Sequence, residues 1–565
     1  MRFSTLLFSG LSLGSLSAAA AGSDVPSPAV RAVPTVRKHL VYFRDKAGSP
    51  FTVAQPQAYL SARSIQRRAR QNISVLPRDL PVNPSYVAQV KAVPKAQLWY
   101  TSRWFNAAVV ECDSTTLATI QTLPFVRSVV TLNRAPQTAG ADRKRTPEPV
   151  LPQERAAAPA DYGTAYGQNN MIGAVAMHSA NFRGEGIHIA VFDAGFPGVN
   201  QIPAFAPLFQ EQRLASTFNF IDKNKDVYLR NNHGTNCLST MAANQAGFFI
   251  GTAPKATYHL CITEDVVPES PVEEMNWLIA AEYSDSVGVD IISSSLGYTT
   301  FDDPTKDYSY ADLNGRTAIS TRAAAVAARV GILVVNSAGN EGGSSWRYVT
   351  APADADSILT VGAVDAGLRR AGFSSVGPTA DGRIKPNVAA QGSQAAILTP
   401  SGAASRANGT SFSCPIMAGM AAGFWQANRD LTAQQVISFL QRSGSQATAP
   451  DNLLGYGIPD FVRAYALAKP GTPLSNGTPE AGVENLAVYP NPSTDELFVQ
   501  LTPSFQGQPL SVRIVDARGA MVAEQQLPAT TAAQVQLRPG PLAKGIYTCT
   551  ISSSKGQRTV RFVKL

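Results

Sequence analysis

The chain has 565 residues, too many for one ordinary domain and enough for three or four. It is 44% hydrophobic and 16% charged, a globular mixture, and no apolar run beyond the leader is long enough to span a bilayer. The net charge of +8 hides a division, because residues 31–150 hold 18 Lys+Arg against 6 Asp+Glu while residues 151–483 hold 21 against 28. A basic segment beside an acidic middle suits an intramolecular partner; nucleic-acid binding would want basic and aromatic residues together on one retained surface.

In chain order, Arg2, the apolar stretch Leu6 to Leu16 and the small residues Ala18 to Ala21 read as a secretory leader over residues 1–21. Cleavage is expected near Ala20 or Ala21. The five cysteines, Cys112, Cys237, Cys261, Cys414 and Cys549, are scattered and odd in number, which argues against a disulfide framework. Residues 37–134 form a predicted small α+β unit. Its strands are His39 to Phe43, Trp104 to Glu111 and Val126 to Leu132, and its helices are Gln57 to Arg70 and Thr115 to Thr122. Residues 135–165, rich in Pro, Ala, Arg and Gln, read as an exposed linker carrying a cleavage site, with Arg143-Lys-Arg145 open to another protease.

Residues 166–468 alternate apolar strands with helices. The strands are Ile187 to Phe192, Thr257 to Ile262, Val289 to Ser293, Gly331 to Val335 and Ile358 to Gly362, with helices over Pro271 to Ser284 and Arg316 to Arg329 among them. Continuous apolar strands belong to a parallel sheet covered on both faces, so the spacing predicts a doubly wound α/β unit. Residues 469–483 are a second linker. Residues 484–565 read as six short strands, over Leu486 to Tyr489, Leu497 to Leu501, Ser511 to Val515, Ala533 to Leu537, Gly545 to Ser552 and Arg558 to Val563, hence a small β-sandwich.

Three segments of the α/β unit carry candidate chemistry. Asp193 follows a strand, at the edge where ligands of open α/β sheets gather. His233-Gly-Thr opens a helical stretch. Asn408-Gly-Thr-Ser411 leads into another helix, whose N-terminus favours developing negative charge. Each alone also reads as an ordinary cap or turn; together, in the order Asp, His, Ser, they match one of the three chain orders that build a Ser-His-carboxylate triad. Ser411 does not sit in the Gly-x-Ser-x-Gly of an α/β-hydrolase, and no cysteine occupies a nucleophile position.

The blocks Ile189 to Gly195, His233-Gly-Thr235, Gly251-Thr-Ala-Pro254, Ser295-Leu-Gly297, Asn336-Ser-Ala-Gly-Asn340, Phe373 to Pro378, Ile384-Lys-Pro386 and Gly409 to Pro415 resemble the subtilisin (subtilase, peptidase S8) family. The resemblance implies a subtilisin-like doubly wound parallel sheet and a serine endopeptidase. It makes Ser411 the nucleophile, His233 the general base, Asp193 its orienting carboxylate and Asn340 an oxyanion donor. Ser295, Leu296 and Gly297, with Ser337, Ala338 and Gly339, would line the cleft and pair with an extended peptide. Where the family usually has Thr or Ser after the aspartate, this chain has Ala194. Cys237, one helical turn past His233, shares its face; the resemblance leaves it open to mercurials, and the residue pattern reads it as a small core side chain. No cofactor is expected for the chemistry. The family often holds structural calcium, but Asp222-Lys-Asn-Lys-Asp226 lacks the glycine and distal glutamate of an EF-hand loop and reads as a solvated turn.

Residues 37–134 resemble the ferredoxin-like inhibitory propeptides of the same family, so the chain's own propeptide is an expected intramolecular partner. A retained binding domain is the other reading of that unit. The tail, with Val488-Tyr-Pro-Asn-Pro492, Val515-Asp-Ala-Arg-Gly519, Gly545-Ile-Tyr-Thr548 and Val560 to Lys564, resembles the C-terminal sorting domain of type IX secretion. It implies that secretion machinery as a partner and an extracellular or cell-surface destination. The expectation is a secreted zymogen that hydrolyses polypeptides. The rival is a catalytically silent surface adhesin or scaffold on the same fold.

Overall fold

The computed structural model describes residues 35–133, 161–266, 269–472, 474, 487–489, 491, 493, 496–501, 505–516, 520–554 and 556–564. The leader over residues 1–21, residues 135–160 with Arg143-Lys-Arg145, and residues 475–483 of the second linker lie outside the described residues.

The N-terminal unit runs β1 (Arg37–Phe43), α1 (Ala62–Arg70), α2 (Pro84–Ala92), β2 (Gln97–Ser102), β3 (Ala107–Cys112), α3 (Ser114–Gln121) and β4 (Val126–Thr131). Its strands form one antiparallel sheet in the order β2-β3-β1-β4. The expected helix from Gln57 is shorter than predicted. Ser61 is its N-cap, accepting the Ser64 N–H, so α1 begins at Ala62. Trp104 and Phe105 belong to a turn rather than a strand, with Ser102 Oγ accepting the Phe105 N–H at 3.1 Å.

Strand alternation gives this sheet two destinations. Val41 and Phe43 pack inside the unit with Val90, Val110 and Phe125. Leu40 and Tyr42 point the other way, into a core shared with Trp277, Leu278 and Ile279 of the central unit.

The central unit continues with α4 (Tyr166–Met171), α5 (Ala174–Ser179), β5 (His188–Asp193), α6 (Ala206–Gln210), β6 (Leu214–Asn219) and α7 (His233–Ala242). Two-residue strands β7 (Asn244–Gln245) and β8 (Phe249–Ile250) follow, then β9 (Thr257–Ile262), α8 (Val272–Val287), β10 (Ile291–Ser294), α9 (Ile319–Arg329), β11 (Leu333–Ser337), β12 (Leu359–Val364) and β13 (Val388–Gln391). The unit closes with β14 (Ala395–Leu398), β15 (Ala404–Ala407), α10 (Thr410–Ala427), α11 (Ala433–Arg442) and α12 (Phe461–Ala468). Seven parallel strands stand in the order β13-β12-β11-β10-β5-β9-β6. Ile189 and Val191 of β5 face the core under α7 and α10, while Ala190 and Phe192 face the one under α8 and α9. The chain enters at β5, builds β9 and β6 to one side and β10 to β13 to the other. Strand order therefore reverses between β5 and β10, the crevice where such sheets bind ligands.

The C-terminal unit holds β16 (Ala487–Tyr489), β17 (Leu497–Gln500), β18 (Leu510–Asp516), β19 (Met521–Leu527), β20 (Gln534–Leu537), β21 (Gly545–Ser553) and β22 (Gly556–Lys564). They form sheets β16-β17-β20 and β19-β18-β21-β22 around Val499, Ile514, Cys549 and Phe562. Among the described residues no helix is long and apolar enough to cross a membrane. All five cysteines are buried and unpaired with one another.

Charge joins the first two units. Asp285 on α8 is fully buried and takes Arg67, Arg68 (2.7 Å) and Arg103 (2.6 Å) from the N-terminal unit. Arg63 and Arg70 reach Asp290, and Glu282 accepts the Ser102 hydroxyl and the Arg103 N–H. Gln71 donates to Gly331 O and accepts from Ala433 N–H.

Candidate active site

Asp193 is the last residue of β5, His233 the first of α7, and Ser411 the second of α10. The strand end and helix α7 meet closely because glycines permit it. A Cβ on Gly234 would stand 2.3 Å from Gly195 O and 2.9 Å from Asp193 Cβ. At Gly195, with φ +153°, a side chain would strike Leu229 O at 2.3 Å. Thr235 Oγ1 then pins α7 by donating to Pro197 O at 2.7 Å.

His233 Nδ1 lies 2.8 Å from Asp193 Oδ1, which also accepts the Ala194 N–H at 2.8 Å. Asp193 Oδ2 is buried with no hydrogen-bond partner among the described residues. Burial lowers the His233 pKa, but the Asp193 carboxylate outweighs it and the ring is held well above its usual value. Burial pushes the Cys237 thiol up to about 11, so it stays neutral beside the ring.

Ser411 Oγ lies 3.5 Å from Ser295 O, and no hydrogen bond joins it to His233 among the described residues. Such bonds are commonly open before substrate arrives. The backbone of Ser411 is held instead. Pro415, four residues on, has no N–H to give the Ser411 carbonyl. That carbonyl accepts the Ser295 hydroxyl at 2.8 Å and the Cys237 thiol at 3.2 Å. Cys237 thus ties α7 to α10, a contact its sequence spacing only partly revealed.

Asn340 sits after β11, facing the first turn of α10. Its Oδ1 accepts both the N–H and the hydroxyl of Thr410 at 2.9 Å. A backbone N–H can only donate, so the amide oxygen faces Thr410 and Nδ2 is the edge turned away from it. Thr410 N–H is thereby used, and Phe412 N–H goes to Gly409 O at 3.1 Å. Thr410 was not singled out from the sequence; only the fold brings it to Asn340.

The cleft segments divide. Ser295, Leu296 and Gly297 follow β10, with Leu296 buried in the core and Gly297 packed against Thr350. In Ser337, Ala338 and Gly339 the backbone is already committed: Ala338 N–H goes to Val361 O, Gly339 N–H to Thr410 Oγ1, and Thr350 and Ser375 N–H take the two carbonyls. Ala338 and Gly339 thus have no N–H free for an added strand, and in Ser295–Gly297 the Leu296 carbonyl accepts the Asn336 Nδ2 at 3.1 Å. The Asp222–Asp226 turn does not fit a calcium ion. Both Asp222 oxygens face the Arg230 guanidinium, and Asn224 and Asp226 cap Asp226 and Tyr228 N–H groups.

Comparison with known proteins places three family models along the chain. A Peptidase S8 propeptide domain of Bacteroidota matches residues 38–146, the Subtilase family residues 184–457, and a secretion-system C-terminal sorting domain residues 487–565. Subtilisin NAT of Bacillus subtilis subsp. natto is 32% identical over 292 residues, 51% of this chain and 67% of that protein. Subtilisin of Bacillus pumilus is 30% identical over 280 residues, 49% of this chain and 90% of that protein. A crystal structure of MycP1 with its N-terminal propeptide removed aligns with a TM-score of 0.43 at 22% identity, over 55% of this chain and 99% of that one.

Proposed function

The chain belongs to the subtilase family, and on that premise we propose that it is a secreted serine endopeptidase, made as a zymogen, that cleaves polypeptides through an acyl-enzyme. The observation that carries this reading is the 2.8 Å Asp193–His233 contact beside the Ser411-bearing turn of α10, at the sheet's switch point.

In this reading Nδ1–H of His233 donates to Asp193, which leaves Nε2 as the base. Nε2 takes the Ser411 proton as Oγ attacks the scissile carbonyl, then returns it to the departing amine. The oxyanion is received by Asn340 Nδ2 and the Ser411 N–H at the head of α10, donors that cost no reorganisation as charge develops. An extended substrate is held along Ser295–Gly297 with Ser337–Gly339 as a wall, so backbone is read more than side chain. The S8 propeptide domain docks on α8 as intramolecular inhibitor, and maturation cuts after it. The sorting tail supports export by type IX machinery to the medium or the outer surface.

The test is intact mass and fluorophosphonate labelling of the full chain as wild type and as Ser411→Ala. The wild type should lose its N-terminal unit and take the label, and the variant should do neither. Two well-folded, uncut and unlabelled proteins would move the scaffold reading to the front.

A further inference from the structure

Beside the Asp193–His233 end of the site lies a cavity of about 310 Å³, lined by Ala194, Arg230, Asn231, Glu264, Asp265 and Val266. It adjoins the reacting groups on both sides. Ala194 directly follows Asp193, and Asn231 Oδ1 accepts the His233 N–H at 2.9 Å. The cavity's far wall is the loop leaving the carboxyl end of β9, the edge where open α/β sheets gather ligands.

The lining is acidic on balance. Arg230 is the one cation among the described lining residues, and each guanidinium nitrogen makes a bond: Nε and Nη2 to Asp222, Nη1 to Asp265 at 3.1 Å. Glu264 is buried in the wall, with Oε2 accepting the Tyr298 hydroxyl at 3.0 Å. The carboxylates Asp222 and Asp265 thus share one guanidinium, and Asp265 keeps about a third of its side chain, 32%, open to solvent. The N-terminal unit already brings a cation into this field. Burial lowers the Lys38 ammonium, and Glu111 and then Asp265 pull it back.

We propose that this cavity is a specificity subsite for a lysine or arginine side chain of the substrate, with Asp265 setting the charge it accepts. The inference rests on the peptidase reading above. An acidic substrate residue would meet Asp265 and an Arg230 whose guanidinium is already shared between Asp222 and Asp265, so discrimination comes as much from repulsion as from attraction.

The experiment gives the matured protein a peptide library varied at each position flanking the scissile bond. One position should favour Lys or Arg over Glu by about tenfold or more, and that ratio should shrink as salt is raised. Asp265→Asn should bring the ratio to within about twofold, and Asp265→Lys should invert it. Equal rates for Lys, Ala and Glu everywhere, or a preference that both salt and Asp265→Asn leave intact, overturns the subsite. Should Asp265→Asn fail to fold, the salt dependence of the wild type decides alone. A wild type that cuts no peptide in the library overturns the peptidase reading and the subsite with it.

Discussion

Removing the charge of Asp285 tests how the N-terminal unit is held. Three guanidinium groups converge on this carboxylate, and neither Asp285 nor Arg67 has any exposed side-chain surface. Burial raises the Asp285 pKa, but the three arginines more than reverse that and hold it below the usual range. In Asp285→Asn the shape survives and the charge does not. Arg68 keeps Asp79 as a second partner at 3.2 Å, whereas Arg67 retains only Val289 O. Breaking a buried pair from one side costs about 3–5 kcal/mol, which is about 10²–10⁴-fold in docking. Hydrogen exchange on the full chain carrying Ser411→Ala, with and without Asp285→Asn, reads this directly. Amides of α1 and of β2 should exchange about 10²-fold faster or more in the double variant, while those of β11 and β12 should not change. Replacing Arg67 and Arg103 by methionine in the same background, with Arg68 left on Asp79, should recover much of the protection, since a buried ion cluster and a packed apolar one are often of similar worth. An exchange ratio below about fivefold would refute the reasoning, because the cluster would then contribute nothing beyond its hydration loss.

Two further outcomes follow from titrating groups. The free base of His233 is needed for attack, and Asp193 holds its pKa above 6.5, so kcat/KM should be full on the alkaline side and fall as pH drops through that raised value. Asp193→Asn should lower kcat about 10⁴-fold and move the acid limb to lower pH, measured with a fluorogenic peptide; an unmoved limb would deny Asp193 its part. His178 is nearly fully buried, accepting from the Tyr162 hydroxyl at 2.9 Å and donating to Thr252 O at 3.0 Å, and burial lowers it to about 4. Its folded value lies below its unfolded one, so the stability it contributes is complete above pH 6.5 and is lost as pH falls towards 4. That amounts to about 3 kcal/mol, and denaturant midpoints of the Ser411→Ala chain should show it, with a shallower slope in His178→Gln.

Much of the central unit was legible because its strands are apolar on both faces and its candidate site residues fall at strand ends and helix starts. Thr257–Ile262 was bounded as read, and Asp193, His233 and Ser411 stand where strand and helix signals put them. Edge strands escaped. Leu214-Ala-Ser-Thr-Phe-Asn219 is half polar and half exposed, so its alternation is faint, and Val388-Ala-Ala-Gln391 is too short to show a period. Met521–Leu527 was hidden by its glutamate and glutamines for the same reason. Trp104 and Phe105 looked like strand residues because aromatic side chains favour strands, but they are buried by the central unit rather than by their own sheet. The clamp of Thr410 on Asn340 and the convergence on Asp285 join residues 70 and more than 180 positions apart, which no local pattern records.

The proline four residues beyond Ser411 has a mechanical consequence. An uninterrupted helix would spend the Ser411 carbonyl on its own next turn and leave α10 free to shift along α7 and β10. Here the missing bond becomes a joint: one oxygen belongs to three elements, through Ser295, Cys237 and Ser411 itself. The position of Ser411 against α7 is therefore set by backbone anchoring, with its hydroxyl lying 3.5 Å from Ser295 O. The joint is thus a property of the main chain, and rotation of the Ser411 side chain leaves it untouched.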